Sequence, residues 1–239
     1  MKQLLIIFTC CYSIIFNIQA QNYLAEYQSK DNKARLTFNA MAWLYDVTAS
    51  IEFKIESYDV DVSDMSPETQ SYSSFNYRSL DKNYYLDNEI VPPILKCVIK
   101  GDLIRPEWTI LSDSIKTIEN YTCLMAKGHV RGRDYTVWFT PDIPVSAGPW
   151  KLWGLPGLIV SARSDDWIVD EITMISLKQT DVFPEEPVVK KTVSPEEFKV
   201  LFQEEAKKNS RMMRSIGGDG MYIDVSINTK NHPDKSLLE

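Results

Sequence analysis

The chain offers few side chains fit for chemistry, and the densest group is cationic. Lys127, His129, Arg131 and Arg133 recur at every second position of a strand-like stretch. Alternate residues of a strand point to one face, so these side chains would stand side by side. Arginine forks match carboxylate and phosphate oxygens, and an anion or lipid-headgroup site is one reading of such a face. The other is a structural ladder, each cation paired with a carboxylate such as Asp142 or Glu171 on an adjacent strand. A bulge at Gly128 or Gly132 would split the face. Trp150 and Trp153 follow on a segment pinned between two turns, which either flanks a binding surface with these rings or forms a folding corner with the neighbouring leucines as core.

Catalytic groups are scarce. His129 and His232 are the histidines, and His232 sits in a polar tail beside Pro233. Cys123 and His129 fall on one alternation, but six residues of strand span ~20 Å, so a bend would be needed to bring them together. Asp165-Asp166 reads as a turn. Asp59, Asp61 and Asp64 lack the glycine and closing glutamate of a helix-loop-helix calcium site. No phosphate loop, nucleophile elbow or metal-ligand spacing is present. The expectation is a non-enzymatic protein with no cofactor and no metal.

The elements that must position these residues lie in a chain of 239 residues with net charge -7. Binding along a phosphate backbone needs clustered positive charge, so nucleic acid is not an expected partner. Met1 and Lys2 precede an apolar run from Leu4 to Ile18, and Ala20 is followed by the polar Gln21-Asn22. That pattern predicts a signal peptide over residues 1–20 and export. The run is too short for a membrane span, and no later segment is long enough, so no transmembrane span is expected after cleavage. Cleavage removes Cys10 and Cys11 and leaves Cys97 and Cys123, which would be either bridged or buried as thiols.

The mature chain reads as mainly β. Leu36, Phe38, Ala40, Ala42 and Leu44 share one alternation, and Ile51, Phe53 and Ile55 another. Residues 59–69 read as a loop. Further strands are predicted over 71–77, 83–86, 94–100, from 108, over 158–163 and over 167–177. Residues 121–140 form a long strand or a hairpin bent at Gly128 or Gly132, and a closing strand is expected at about 221–228. Ser194-Pro195-Glu196-Glu197 is a capping box with proline at the first helical position, opening a helix over about 195–214. The expected architecture is a single curved antiparallel sheet or half-barrel, α+β in class, with one long C-terminal amphipathic helix packed on it.

Residues 119–163 hold the most specific pattern. Tyr121-Thr122-Cys123 comes before Ala126, Gly132-Arg133 before an aromatic strand, and Ile143-Pro144 before Gly148-Pro149-Trp150-Lys151. Then follows Gly154-Leu155-Pro156-Gly157-Leu158-Ile159. This hexapeptide and its flanks resemble the GLPGLI family, exported proteins of the Bacteroidota with no known function. The resemblance implies the compartment and a single β-rich domain over 21–239, and it transfers no catalytic residue. Physically, Leu155 to Leu158 suits a type II turn with Gly157 at positive φ, feeding a strand from Leu158 with both faces covered.

These readings converge on an envelope protein, periplasmic or associated with the outer membrane, that binds a partner protein or an apolar or lipid ligand. A structural accessory of outer-membrane transport machinery is the alternative, and an enzyme with an unrecognised site is another. N-terminal sequencing of the native protein should begin at or near Gln21. Recovery of intact Met1, or of a lipidated Cys10 or Cys11, would contradict the export reading.

Overall fold

The computed structural model describes residues 21–30, 32–53, 68–91, 95–166 and 171–216. The proposed signal segment, residues 59–67 of the expected loop and the closing strand at 221–228 lie outside these, while Glu68 and Thr69 of that expected loop are strand. The first six strands are β1 (Asn22–Gln28), β2 (Lys33–Phe38), β3 (Ala42–Phe53), β4 (Glu68–Ser79), β5 (Tyr84–Val91) and β6 (Leu95–Asp102). The next are β7 (Trp108–Ile118), β8 (Tyr121–Val130), β9 (Arg133–Thr140), β10 (Leu158–Ser164), β11 (Ile172–Thr180) and β12 (Thr192–Val193), before helix α1 (Pro195–Ile216).

The described strands form one sheet in the order β12-β6-β5-β4-β3-β2-β1-β11-β10-β9-β8-β7. It consists of two antiparallel meanders, β1 to β6 and β7 to β11. They are joined by the pairing of β1 with β11, from Asn22 opposite Thr180 to Gln28 opposite Thr173. β12 adds to β6 in parallel through Thr192–Val193 opposite Val98–Ile99. The expected antiparallel half-barrel under a long helix is therefore corrected. The sheet is mixed, it is not closed or strongly curled, and β7 and β12 are its outer strands. The described side chains of α1 do not run across the sheet. Its described apolar contacts are Phe198 and Phe202, which pack on Tyr85 and Ile99 at one end. The capping box explains where α1 starts: the Ser194 N–H donates to Glu197 Oε2 (2.8 Å) and the Glu197 N–H to Ser194 Oγ (3.1 Å).

The turn between β2 and β3 corrects a second expectation. One alternation does not run through residues 36–44, because Asn39 Oδ1 accepts the N–H groups of both Met41 and Ala42 at 2.9 Å. This side-chain turn resets the phase. Trp43 and Tyr45, rather than Leu44, then join Leu36 and Phe38 in the main core. That core is completed by the segment between β9 and β10. Val145, Ala147, Trp153 and Leu158 lie against the same cluster, and Trp153 and Trp43 have ring centroids 5.7 Å apart. Leu152, Leu155 and Ile159 fill a second cluster with Tyr135, Val137 and Phe139. Leu158, Ile159 and Val160 are fully buried, which suits a strand covered on both faces.

The hexapeptide itself does not form the expected type II turn. Gly154, not Gly157, has positive φ, at 100°. Gly157 is required for a different reason: a Cβ there would lie 2.2 Å from the Thr140 carbonyl oxygen. Leu158 opposes Thr140 in the β9–β10 ladder, so the glycine lets the backbone enter that ladder directly. Gly148 makes a similar close approach, with a Cβ position 2.8 Å from Ile159 Cβ. Gly157→Ala should lower stability by about 1–3 kcal/mol. The check is a urea melt beside Pro156→Ala, whose exposed site should tolerate the change.

Candidate functional site

The basic run is divided by a two-residue hairpin turn. Arg131 and Gly132 both have positive φ, at 53° and 77°, the pattern of a type I′ turn between paired strands. Lys127 and His129 therefore project from β8, Arg131 occupies the turn, and Arg133 opens β9 opposite Val130. Lys127 and His129 are exposed, and His129 Nδ1 lies 2.8 Å from Asp134 Oδ1 at the surface. Arg133 is buried and pairs with Asp166, which belongs to the Asp165-Asp166 turn after β10. Neither Asp142 nor Glu171 is the partner shown, and Glu171 instead accepts the Ser161 hydroxyl at 3.0 Å.

Arg131 reaches across to the first meander, its guanidinium 4.8 Å from the centroid of the Tyr85 ring. Arg78, on β4, stacks on the same ring at 4.9 Å. Beneath them lies Asp87 of β5, with no exposed surface. Both oxygens of Asp87 accept from Arg78, and the Asn76 amide donates to Oδ1 at 3.0 Å. Lys151 Nζ stands 3.6 Å from Oδ2. Arg78 and Lys151 are themselves fully buried. Burial alone would raise the Asp87 carboxyl, but the positive charges of Arg78, Lys151 and Arg131 outweigh it and hold it down at about 2.

Lys151 is placed there by the segment from 148 to 154. A turn closes with the Leu152 N–H on the Pro149 carbonyl at 3.2 Å, and Trp150 takes φ 54° within it. Trp150 packs on Tyr135, with ring centroids 6.2 Å apart, and Lys151 Nζ lies 5.2 Å over the Trp150 ring. The next residues are fastened from above. Trp108 Nε1 donates to the Trp153 carbonyl at 2.7 Å, and Arg105 donates through Nε and Nη2 to the Gly154 carbonyl at 3.1 and 2.7 Å. The linker from β6 to β7 is thus tied to the start of the hexapeptide.

A groove of about 1250 Å³ opens between this linker and the β8–β9 hairpin. Lys127, His129, Arg131 and Trp153 line it, while Trp150 and Arg133 do not. Its other basic residues, Lys100, Arg105 and Lys151, are ones the sequence reading missed, as are the aromatic walls Tyr85 and Trp108. Arg105-Pro106-Glu107-Trp108 did hold an aromatic and a cation beside a proline break, a signal that was available. Five lysines and arginines line the groove against Asp102, Glu107 and Glu196, in a chain whose net charge is -7. Charge of the opposite sign to the whole molecule is concentrated here.

The remaining candidates lie elsewhere. Cys97 is on β6 and Cys123 on β8, and both are thiols, so the bridge considered from sequence is not formed. Burial pushes the Cys123 thiol up to about 11, which keeps it protonated and unreactive near neutral pH. Among the described residues, no group of three His, Cys, Asp or Glu is placed to hold a metal ion. No helix among them is long and apolar enough to cross a membrane.

Comparison with known proteins matches residues 129–161 to a family described as "Protein of unknown function (Porph_ging)". The match covers Arg131 to the hexapeptide and hence one wall and the floor of the groove. Two solved structures of PNGF-II are similar in fold. The form in space group C2 has a TM-score of 0.51 at 16% identity, over 77% of this chain and 32% of that one. The form in P21 has a TM-score of 0.50 at 15% identity, over 73% and 31%. This chain thus spans about a third of the length of PNGF-II, and at such identity the likeness is one of fold alone. No curated protein matches the chain.

Removing the Asp87 charge should leave Arg78 and Lys151 buried without their counter-ion, so Asp87→Asn should cost about 3–5 kcal/mol at neutral pH. The exposed Arg35–Asp46 pair provides the comparison, and Asp46→Asn should cost no more than about 1 kcal/mol. A carboxyl held low when folded stabilises above its unfolded value near ~4 and loses that contribution as pH falls toward 2. The gap between parent and Asp87→Asn in urea melts should therefore narrow through that window.

Proposed function

We propose that this chain is an exported, non-enzymatic component of a bacterial cell envelope, of the GLPGLI type, which holds a partner protein in the groove beside the β8–β9 hairpin. One observation carries the reading. The groove is open, with aromatic walls and an excess of cations, in an otherwise acidic molecule. An enclosed apolar cavity would suit a lipid tail or small apolar ligand. An open groove with the half-buried Trp108 among the exposed Arg105, Glu107 and Lys127 has instead the make-up of a protein interface, where aromatics and arginine provide most of the contact energy. The family match and the hexapeptide support the envelope assignment, and the apolar segment before Gln21 supports export.

The groove also needs no moving part to be ready. Arg105 and Trp108 fix the linker to the Trp153–Gly154 backbone, so the walls are set before any partner arrives. Preorganisation of this kind reduces the ordering cost of association. A photo-crosslinking side chain introduced at Lys127, at the groove rim, should give a discrete polypeptide adduct in intact cells. The same group at Ile175, exposed on β11 away from the groove, should not. Absence of an adduct at Lys127, or the same adduct from both positions, would overturn the reading.

A further inference from the structure

We infer that residues 181–189, which cross from β11 to β12, form a polyproline-type docking strap that is received by an aromatic-lined, basic-rimmed cleft on a partner protein. The strap contributes nothing to the walls of the groove, so it is a second contact region and stands apart from the docking reading above. Its conformation follows from where it must go. β11 lies beside β1, and β12 lies beyond β6 at the far edge, seven strand positions away. At ~4.8 Å per strand that is about 34 Å. The twelve residue steps from Thr180 to Thr192 reach about 37 Å at the ~3.1 Å rise of a polyproline II helix, so little slack is left. Pro184 and Pro187 suit such a backbone, because proline fixes φ near the value it requires.

Exposure along the strap repeats every three residues, which is the repeat of that helix. Pro184 is buried and Pro187 half-buried, so this edge faces the protein. Val182, Glu185 and Val188 share another edge and face solvent, the two valines 61% and 102% exposed. Phe183 stands beside them at 64%, the one aromatic among the large apolar side chains exposed in the described residues. The strap is also fastened. The Val182 N–H donates to Thr180 Oγ1 at 3.2 Å, the Glu185 N–H to the Phe183 carbonyl at 2.9 Å, and Lys82 Nζ to Glu186 Oε2 at 3.2 Å. An extended segment already held in its bound shape loses little entropy on docking. Pro184-Glu185-Glu186-Pro187 has the spacing that aromatic-lined grooves receive in this way.

Charge specifies the rim of the cleft. Asp181, Glu185 and Glu186 lie within six residues, and no cation occurs before Lys190. An anionic lipid surface would repel these carboxylates at the point where Val182 and Phe183 would have to insert. The strap of a second copy would be repelled for the same reason. A protein cleft that seats Phe183 and the valines on aromatic rings, with lysine or arginine at its edge, satisfies both the apolar and the acidic side chains.

The test is a photo-crosslinking side chain introduced at Val182 of the full chain in intact cells. It should give one polypeptide adduct, and mass spectrometry should place the crosslink in a segment of the partner that holds aromatic and basic residues. Phe183→Ser and, separately, Glu185→Lys should each lower the adduct yield by about tenfold. Both side chains are exposed, so both variants should keep the parent melting temperature. Val200→Ser, which removes exposed apolar surface on α1 instead, should leave the yield unchanged. No adduct, an adduct with lipid or with a second copy of this chain, a crosslink in an acidic segment, or an adduct that survives either strap substitution would overturn the inference. The Lys127 adduct should persist in Phe183→Ser. If it persists while the Val182 adduct is absent, the strap falls and the groove reading stands; if it alone is absent, the groove reading falls and the strap stands.

Discussion

A single carboxylate deep in the molecule organises the candidate site. Asp87 comes from the first meander, Lys151 from the segment between β9 and β10, and Arg131 from the β8–β9 turn, so three distant stretches of chain converge on one charge. Taking such groups out of water is costly, and only mutual pairing with added hydrogen bonds from Arg78 and Asn76 makes the arrangement tolerable. That requirement fixes where residues 148–154 can lie. Once Lys151 is fixed, Trp150 must turn back onto Tyr135, Trp153 must face Trp43, and the carbonyls of Trp153 and Gly154 are left pointing at Arg105 and Trp108. The floor of the groove is a by-product of satisfying a buried acid.

The family pattern gains a physical meaning from this. The matched stretch, 129–161, contains the hairpin turn, the buried lysine and the close approach of Gly157 to Thr140. These residues are a connected mechanical unit: a turn that aims a guanidinium, a loop that buries an ammonium, and a glycine that admits the loop's exit into the ladder. The leucines on either side of Pro156 serve packing, one in each of the two main clusters. The chemistry near the hexapeptide is supplied by side chains that flank it.

What could be read from sequence was local. Period-two alternation marks β9 and β10, and the Ser194 box marks the first turn of α1, because each signal and its cause lie within a few residues. The alternation of Tyr23, Ala25 and Tyr27 was equally visible, but nothing local says that β1 sits mid-sheet between β2 and β11. Asp87 stands in an aromatic strand with no local hint that its counter-ions come from 78, 131 and 151. The basic run misled for a related reason. Alternation was extended through Arg131-Gly132, where two positive-φ residues reverse the chain and send Arg133 into the interior toward Asp166. The Pro-Gly pair misled in a different way. Glycine was read for its dihedral freedom, whereas here its missing Cβ matters.

The joint between the two meanders has a bearing on how the chain is born. β1 is complete on one side once β2 exists, yet its other side waits for β11, whose residues come some 150 positions later. During synthesis the N-terminus leads, so the future centre of the sheet spends that interval as an open edge. Pairings of such sequence separation form late, because a long loop must close before they repay it. An unpaired edge with Tyr27, Leu36 and Phe38 beside it is the feature that invites neighbouring chains to add on. The architecture that buries β1 between two strands in the finished protein therefore leaves it open to strand addition beforehand.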